Sequence, residues 1–170
     1  MKKIGLLSDT HSFLDPKILD YFREVDEIWH AGDIGSLEVT DALKKVKPLR
    51  AIYGNIDDST ARLEFHLDNR FTLEGFDIWM THIGGYPNNY APRVKKILEE
   101  NAPDIFICGH SHILRVIRDE KYKNMITINP GAAGVHGFHK VKTILRFTLD
   151  NKKITQMEAI ELGKRGEIMD

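Results

Sequence analysis

Short apolar runs alternate with amphipathic stretches along the first half of the chain, and each apolar run stops abruptly in polar residues. Ile4, Leu6 and Leu7 read as a buried strand that ends in Ser8-Asp9-Thr10-His11. Residues 16–24 carry apolar side chains at Ile18, Leu19, Tyr21 and Phe22, which predicts a helix with Pro16 in its first turn and Asp15 as its cap. Residues 27–30 form a second strand, and Ser36 caps a helix reaching about Lys45 with Leu37, Val39 and Leu43 inward. Residues 49–53 form a third strand, and 59–64 a short helix capped by Asp57 and Asp58, with ligand orientation as the alternative for Asp57. A hairpin follows, Phe71-Thr72-Leu73 and Ile78-Trp79-Met80 flanking a turn at 74–77. Residues 92–101 are helical, with Val94, Ile97 and Leu98 on one side, and 104–108 are a buried strand. The remainder is mostly β, with strands near 114–118, 124–128, 143–149 and 153–160, a tight turn at Asp150-Asn151 and a polar tail expected to fray after Leu162.

This pattern has a rhythm. Polar punctuation falls at Asp9, Asp33, Asn55, His82 and His110, 22 to 28 residues apart. That interval suits one strand plus its return connection, since a βαβ unit takes about 30 residues. Strand–helix alternation implies parallel strands in the N-terminal half. The carboxyl ends of such strands share one edge, where ligands bind. Side chains from five separate segments are therefore expected in one cleft.

The chain has 170 residues and no evident linker, repeat or low-complexity segment, so one domain over residues 1–165 with a tail at 166–170 is expected. With 42% hydrophobic and 29% charged residues, it reads as a globular protein rather than a disordered one. A net charge of -1 gives no global basic field for extended nucleic acid, and Lys44-Lys45, Lys95-Lys96 and Lys152-Lys153 read as solvated faces. The single cysteine, Cys108, lies in an apolar run and reads as a buried hydrophobe in a reducing compartment. No stretch has the length of a membrane span or the form of a signal peptide, so no membrane association and a cytoplasmic location are expected.

The chemistry gathers at the punctuation. Asp9, His11, Asp33, Asn55, His82, His110 and His112 are all oxygen or nitrogen donors, and they include four of the eight histidines. Asp9 and His11, two positions apart, share one face of an extended backbone. Glycine precedes Asp33, Asn55 and His110, which allows a sharp turn out of a strand. Seven ligands exceed what one tetrahedral ion takes. Two ions about 3.5–4 Å apart, sharing a bridging carboxylate, fit the set. Imidazole-rich ligation favours transition metals over Mg or Ca, with Mn taken first and Fe, Ni, Co and Zn also accommodated.

In order and spacing, Asp9-x-His11, Gly32-Asp33, Gly54-Asn55, His82 and Gly109-His110-x-His112 resemble the signature of the calcineurin-like metallophosphoesterases. The short chain, and Asn129-Pro130-Gly131 after a later strand, make it similar to the small bacterial and archaeal phosphodiesterase branch, which also includes the eukaryotic retromer scaffold subunit. The resemblance implies an α/β fold, a four-layer αββα sandwich of mixed sheets with the metals at its edge. It assigns Asp9, His11 and His112 to a first metal, Asn55, His82 and His110 to a second, and Asp33 to the bridge. Asn55 and His82 are also candidates for contacting phosphate. The function implied is metal-dependent hydrolysis of small phosphate esters, foremost diesters, by a metal-bridging hydroxide that attacks phosphorus in line. Two divalent ions, two carboxylates and that hydroxide leave the centre at about +1, suited to an anionic phosphoryl group.

Two positions depart from the pattern. Many superfamily members have His after the Gly-Asn pair, and the small branch often has Cys; here Ile56 can neither donate a proton nor hydrogen-bond. The small branch commonly has Ser after Asn-Pro-Gly, where this chain has Ala132. The loop beyond carries His136 and His139, read either as exposed polar residues or as an acid or phosphate contact reaching the cleft. His30 reads as support for the metal site or as a strand-end histidine bonded to backbone, and His66 as surface. The competing reading is a protein-binding scaffold on the same fold, and a homo-oligomer is compatible with either. A metal amidohydrolase, which also uses His-x-His, needs a (β/α)8 barrel of about 250 residues, too long for this chain.

Overall fold

The computed structural model describes residues 1–166, so of the tail expected at 166–170 all but Gly166 lies outside the described residues. Two five-stranded sheets carry the fold. The first is built from β1 (Lys2–Leu7), β2 (Glu27–His30), β3 (Leu49–Ala51), β11 (Val141–Asp150) and β12 (Lys153–Lys164), in the order β12-β11-β1-β2-β3. The second is built from β4 (Asp68–Leu73), β5 (Phe76–Thr81), β8 (Ile105–Ile107), β9 (Leu114–Asp119) and β10 (Met125–Pro130), in the order β4-β5-β8-β10-β9. β1, β2 and β3 are parallel, as the alternation predicts, and β5, β8 and β10 form a second parallel core. Antiparallel strands flank both cores.

The layers follow from side-chain alternation. Ile4, Leu6 and Trp29 of the first sheet pack against Ile78, Met80, Ile105, Ile107 and Ile128 of the second. Helices α1 (Pro16–Phe22) and α2 (Leu37–Val46) cover the outer face of the first sheet, with Ile18, Phe22, Val39 and Leu43 against Leu7, Ile28 and Ile144. Gly5 lets α1 sit close, since a Cβ there would stand 2.6 Å from the Phe22 ring. On the other side α4 (Pro92–Asn101) sets Val94 and Leu98 against Trp79, Phe106 and Cys108. Trp79 and Phe106 face α4 while their strand neighbours face the inner core, the two-residue period of a strand. The result is the expected αββα sandwich. Burying each large apolar side chain contributes roughly 1.5–3 kcal/mol.

Caps sit where the sequence places them. Asp15 accepts from Lys17 N, Ser36 from Glu38 N, and Asp58 from Ala61 N at the start of α3 (Ser59–Glu64). Local details differ from the sequence reading. The third strand stops at Ala51, and Ile52 makes only an isolated bridge to the exposed His66. The last hairpin turns at Asn151-Lys152, one residue later than expected, both with positive φ (43° and 64°) as a two-residue hairpin turn demands. The expected frayed tail is instead strand up to Lys164, where Leu162 is buried and its carbonyl accepts from Lys17 Nζ at 2.7 Å. A small hairpin of β6 (Gly85–Tyr86) and β7 (Asn89–Tyr90) was not expected. No helix among the described residues is long and apolar enough to cross a membrane.

Candidate metal centre

The carboxyl ends of β1, β2, β3, β5 and β8 point to one end of the sandwich, and each is followed by a candidate donor: Asp9 and His11, Asp33, Asn55, His82, then His110 and His112. All seven therefore gather along one edge. The route to Asp9 and His11 is not the extended backbone that their spacing suggests. β1 ends at Leu7, and Asp9 (φ 55°), His11 (45°), Asp33 (55°), His110 (69°) and His112 (63°) all occupy the left-handed region. Asp and His tolerate that region better than most residues, at a cost of about 1–3 kcal/mol each. Backbone bonds between the two loops offset it: Asp9 N donates to Gly32 O (3.0 Å), His11 N to Asp33 O (3.0 Å) and Ser12 N to Ile34 O (2.8 Å).

Two groups of donors result. Asp9, His11 and His112 form one, Asp33, His82 and His110 the other, each with ligand atoms within 4.8 Å of one another. Asp33 Oδ2 lies 3.4 Å from His11 Nε2 and 3.1 Å from His82 Nε2, and so faces both groups. Asp9 Oδ1 lies 3.1 Å from His112 Nε2 and 3.6 Å from His82 Nε2. Asn55 is exposed, and its Oδ1 is 3.0 Å from His110 Nδ1. Asp9 Oδ1, His11 Nε2 and His82 Nε2 are nevertheless buried and make no hydrogen bond. The donors converge on common points rather than on each other. His82 makes the demand explicit: its Nδ1 donates to Ala31 O (2.7 Å), so the neutral ring turns a lone pair from Nε2 toward two carboxylates. A proton on the ring or a bound metal cation relieves that arrangement. The donor set fits a pair of divalent ions.

The electrostatics agree. Asp33 and Asp9 raise the His11 pKa to about 9. Burial alone would lower that of His82, but the same carboxylates outweigh it and the pKa is raised. Burial likewise works against the charged forms of Asp9 and Asp33, yet the surrounding imidazoles hold both carboxyls well below the usual range. His110 moves down through burial.

The glycines act differently from the sequence expectation. Gly32 does turn with φ 98°, but Gly54 and Gly109 have no positive φ. They are glycine because other chain segments lie against them. A Cβ on Gly54 would stand 2.1 Å from Asp33 Oδ1, and one on Gly109 2.1 Å from Ser8 Oγ and 2.8 Å from Asp9 Oδ2.

His30 supports the site. Gly32 N donates to its Nδ1 (3.1 Å), which leaves the Nε2 proton for Thr10 Oγ1 (3.0 Å), and Thr10 donates to Ile34 O (2.9 Å). Complete burial lowers its pKa to about 3, so this neutral ring ties the Asp9 and Asp33 loops. Asp57 is no helix cap: its carboxylate accepts from Gly54 N (2.7 Å), Gly35 N (2.8 Å) and Ile34 N (3.2 Å), joining the segments that carry Asp33 and Asn55. Three contributors went unrecognised in the sequence. Ser8 Oγ donates to Asp9 Oδ2 (2.7 Å). Asn129 Nδ2 donates to Gly109 O (2.9 Å) and braces the His110 loop; Asn129-Pro130-Gly131 was its signal. The buried Lys142 Nζ donates to Asp15 Oδ2 (3.0 Å) beneath the loop that follows His11, and nothing in its local pattern announces this.

His136 and His139 do reach the cluster. The His136 ring stacks on His11 with centroids 4.7 Å apart, and the His139 ring meets His112 edge-on at 5.1 Å. His139 Nε2 donates to Gly134 O (2.7 Å). Ile56 is 45% exposed beside the site and offers only its backbone N–H, donated to Asp33 Oδ1 (3.1 Å). Ala132 is buried. Cys108 is also buried, which pushes its thiol up to about 12.

Known proteins resemble this chain in sequence and in fold. The family model for the calcineurin-like phosphoesterase superfamily domain matches residues 1–152. A probable metallophosphoesterase from Methanothermobacter thermautotrophicus is 30% identical over 139 residues, 78% of this chain and 77% of that protein. In fold, the chain is similar to a solved archaeal phosphodiesterase (TM-score 0.73, 22% identity, 94% of this chain and 99% of that one). It is also similar to a single mutant of Vps29 from Entamoeba histolytica (TM-score 0.74, 16% identity, 95% and 99%). Fold, donor set and family match agree, and the chain belongs to the calcineurin-like phosphoesterase superfamily.

Proposed function

We propose that this protein is a dinuclear metal-dependent phosphoesterase, foremost a phosphodiesterase acting on small phosphate esters. Asp9, His11 and His112 would hold one divalent ion, His82, His110 and Asn55 the other, with Asp33 between them. The carrying observation is the pair of buried carboxylates, Asp9 and Asp33, faced by His11 Nε2 and His82 Nε2, which make no hydrogen bond. Bound there, divalent ions of the Mn, Fe, Co, Ni or Zn type supply Lewis acidity and a water acidified toward neutral pH.

The protein's own part is orientation. Ala31 O fixes the tautomer of His82, Ser8 Oγ and His110 N hold Asp9 Oδ2, and Asp57 fixes the backbone that presents Asn55 and Asp33. Asn55 is exposed at the cleft and would contact a phosphoryl oxygen, whereas His82, buried with Nδ1 on Ala31 O and Nε2 turned to the ion site, has no nitrogen left for one. Ile56 leaves the usual acid position without a donor, so His136 and His139 are the protein groups nearest the first ion site for protonating a leaving group or steadying phosphate. Metal analysis of the purified protein, with Mn-supplemented assays on an activated phosphodiester and an activated phosphomonoester, tests the reading. About two transition-metal ions per chain and faster diester turnover are expected; a reconstituted sample that takes up no metal ends it.

A second reading, a scaffold with little catalysis, is favoured by one observation. β9 is an edge strand and exposes Leu114, Val116 and Ile117, next to the exposed Ile113. Such an apolar edge invites a protein partner. The complete donor set favours the enzyme.

A further inference from the structure

A groove of about 560 Å³ runs from the ligand cluster, with Asn55 and His82 among its lining residues. Its walls are apolar: Tyr53, Leu67, Ile83 and Pro92. Leu67 and Ile83 are 42% and 45% exposed. A larger hollow, about 680 Å³, lies at the opposite end of the second sheet around Phe76, Asp104 and Lys152, and holds none of the candidate ligands. The groove beside the cluster is the one that chemistry at Asn55 and His82 would use.

Two arginines border it and differ in state. Arg93 is neutralised by Asp68. Arg62 forms no ion pair among the described residues. Its Nε donates to Asp57 O (2.9 Å), one terminal nitrogen donates to Asn55 O (3.5 Å), and the guanidinium lies 4.7 Å over the Tyr53 ring. Those partners hold the group in place without cancelling its charge. A guanidinium has five N–H donors, so donors remain for an anion. Apolar walls, an uncompensated cation and two candidate ligands thus meet in one groove.

We propose that the groove receives the organic arm of the substrate, that this arm is aromatic or comparably apolar, and that Arg62 contacts an oxygen of the phosphoryl group. The inference rests on the phosphoesterase reading above. A sugar or polyol arm would set hydroxyls against the side chains of Leu67, Ile83 and Pro92, which offer no hydrogen-bond partner in exchange for lost water. A ring loses nothing there and buries its faces.

Calorimetric titration of the manganese-loaded protein with phenylphosphonate and methylphosphonate tests this, because the two share a head group and differ only in the arm. Phenylphosphonate is expected to bind at least about tenfold more tightly. Leu67→Asn is expected to narrow that ratio several-fold, and Arg62→Gln to weaken both ligands about tenfold. Equal affinities, or no binding of either by a protein that hydrolyses esters, overturn the groove assignment and leave the phosphoesterase reading standing. A manganese-loaded protein that binds neither ligand and hydrolyses no activated ester overturns that reading, and this inference with it.

Discussion

In the metal-free protein the carboxylates of Asp33 and Asp9 raise the pKa of His11 to about 9, above its free value of 6.5. The contribution to stability is complete below about pH 6.5 and is lost as pH rises through about 9. Chemical denaturation of the metal-free protein should therefore show a midpoint that falls between pH 6.5 and 9. The manganese-loaded protein should hold its midpoint there, since the ion takes over the role of the proton. Asp57 offers a second test. Asp57→Ala strands three backbone N–H groups, two of them buried, and should cost about 1–3 kcal/mol in unfolding free energy while lowering metal content. Ile56 sets a third expectation: without a proton donor at that position, turnover should fall steeply as the leaving-group pKa rises, so aryl diesters should far outpace alkyl ones. A flat dependence would instead assign leaving-group protonation to the loop histidines beside His11 and His112.

At the scale of elements, strands and helices were legible because each buries an apolar face with its own period. Pro16 and Asp15, Ser36, and the Pro92 helix marked their ends locally. What was not legible was contact between elements distant in sequence. Gly54 looks like a turn glycine, yet its role is to admit the carboxylate of Asp33, 21 positions earlier. Asp57 looks like one more helix cap. The left-handed backbone at Asp9 and His11 could not be inferred from their spacing, which also suits a strand. Gly54→Ala should separate folding from the site: the Cβ would sit 2.1 Å from Asp33 Oδ1 and 2.4 Å from its backbone nitrogen. Circular dichroism should remain native-like while bound metal drops by half or more. Gly109→Ala should do the same through Ser8 and Asp9.

At the scale of the molecule, catalysis and partner binding would use different faces. The ligand cluster lies at the carboxyl ends of β1, β2, β3, β5 and β8, whereas the apolar residues of β9 lie along a sheet edge. Val116→Lys, at a position 45% exposed, should leave metal content and ester turnover unchanged. If that substitution instead removed activity, the edge would be tied to the site, and an assembly through β9 would be part of the working enzyme.

The sequence by itself determined the candidate donors, their order and the strand endings that carry them, because ligand chemistry is a property of residue type and strand endings are written in local polarity. Tertiary structure decided which histidine faces which carboxylate, why two of the glycines must be glycine, and that Arg62, Tyr53 and Leu67 border the site. Those facts depend on distances of a few ångströms between segments far apart in the chain, and only packing sets such distances.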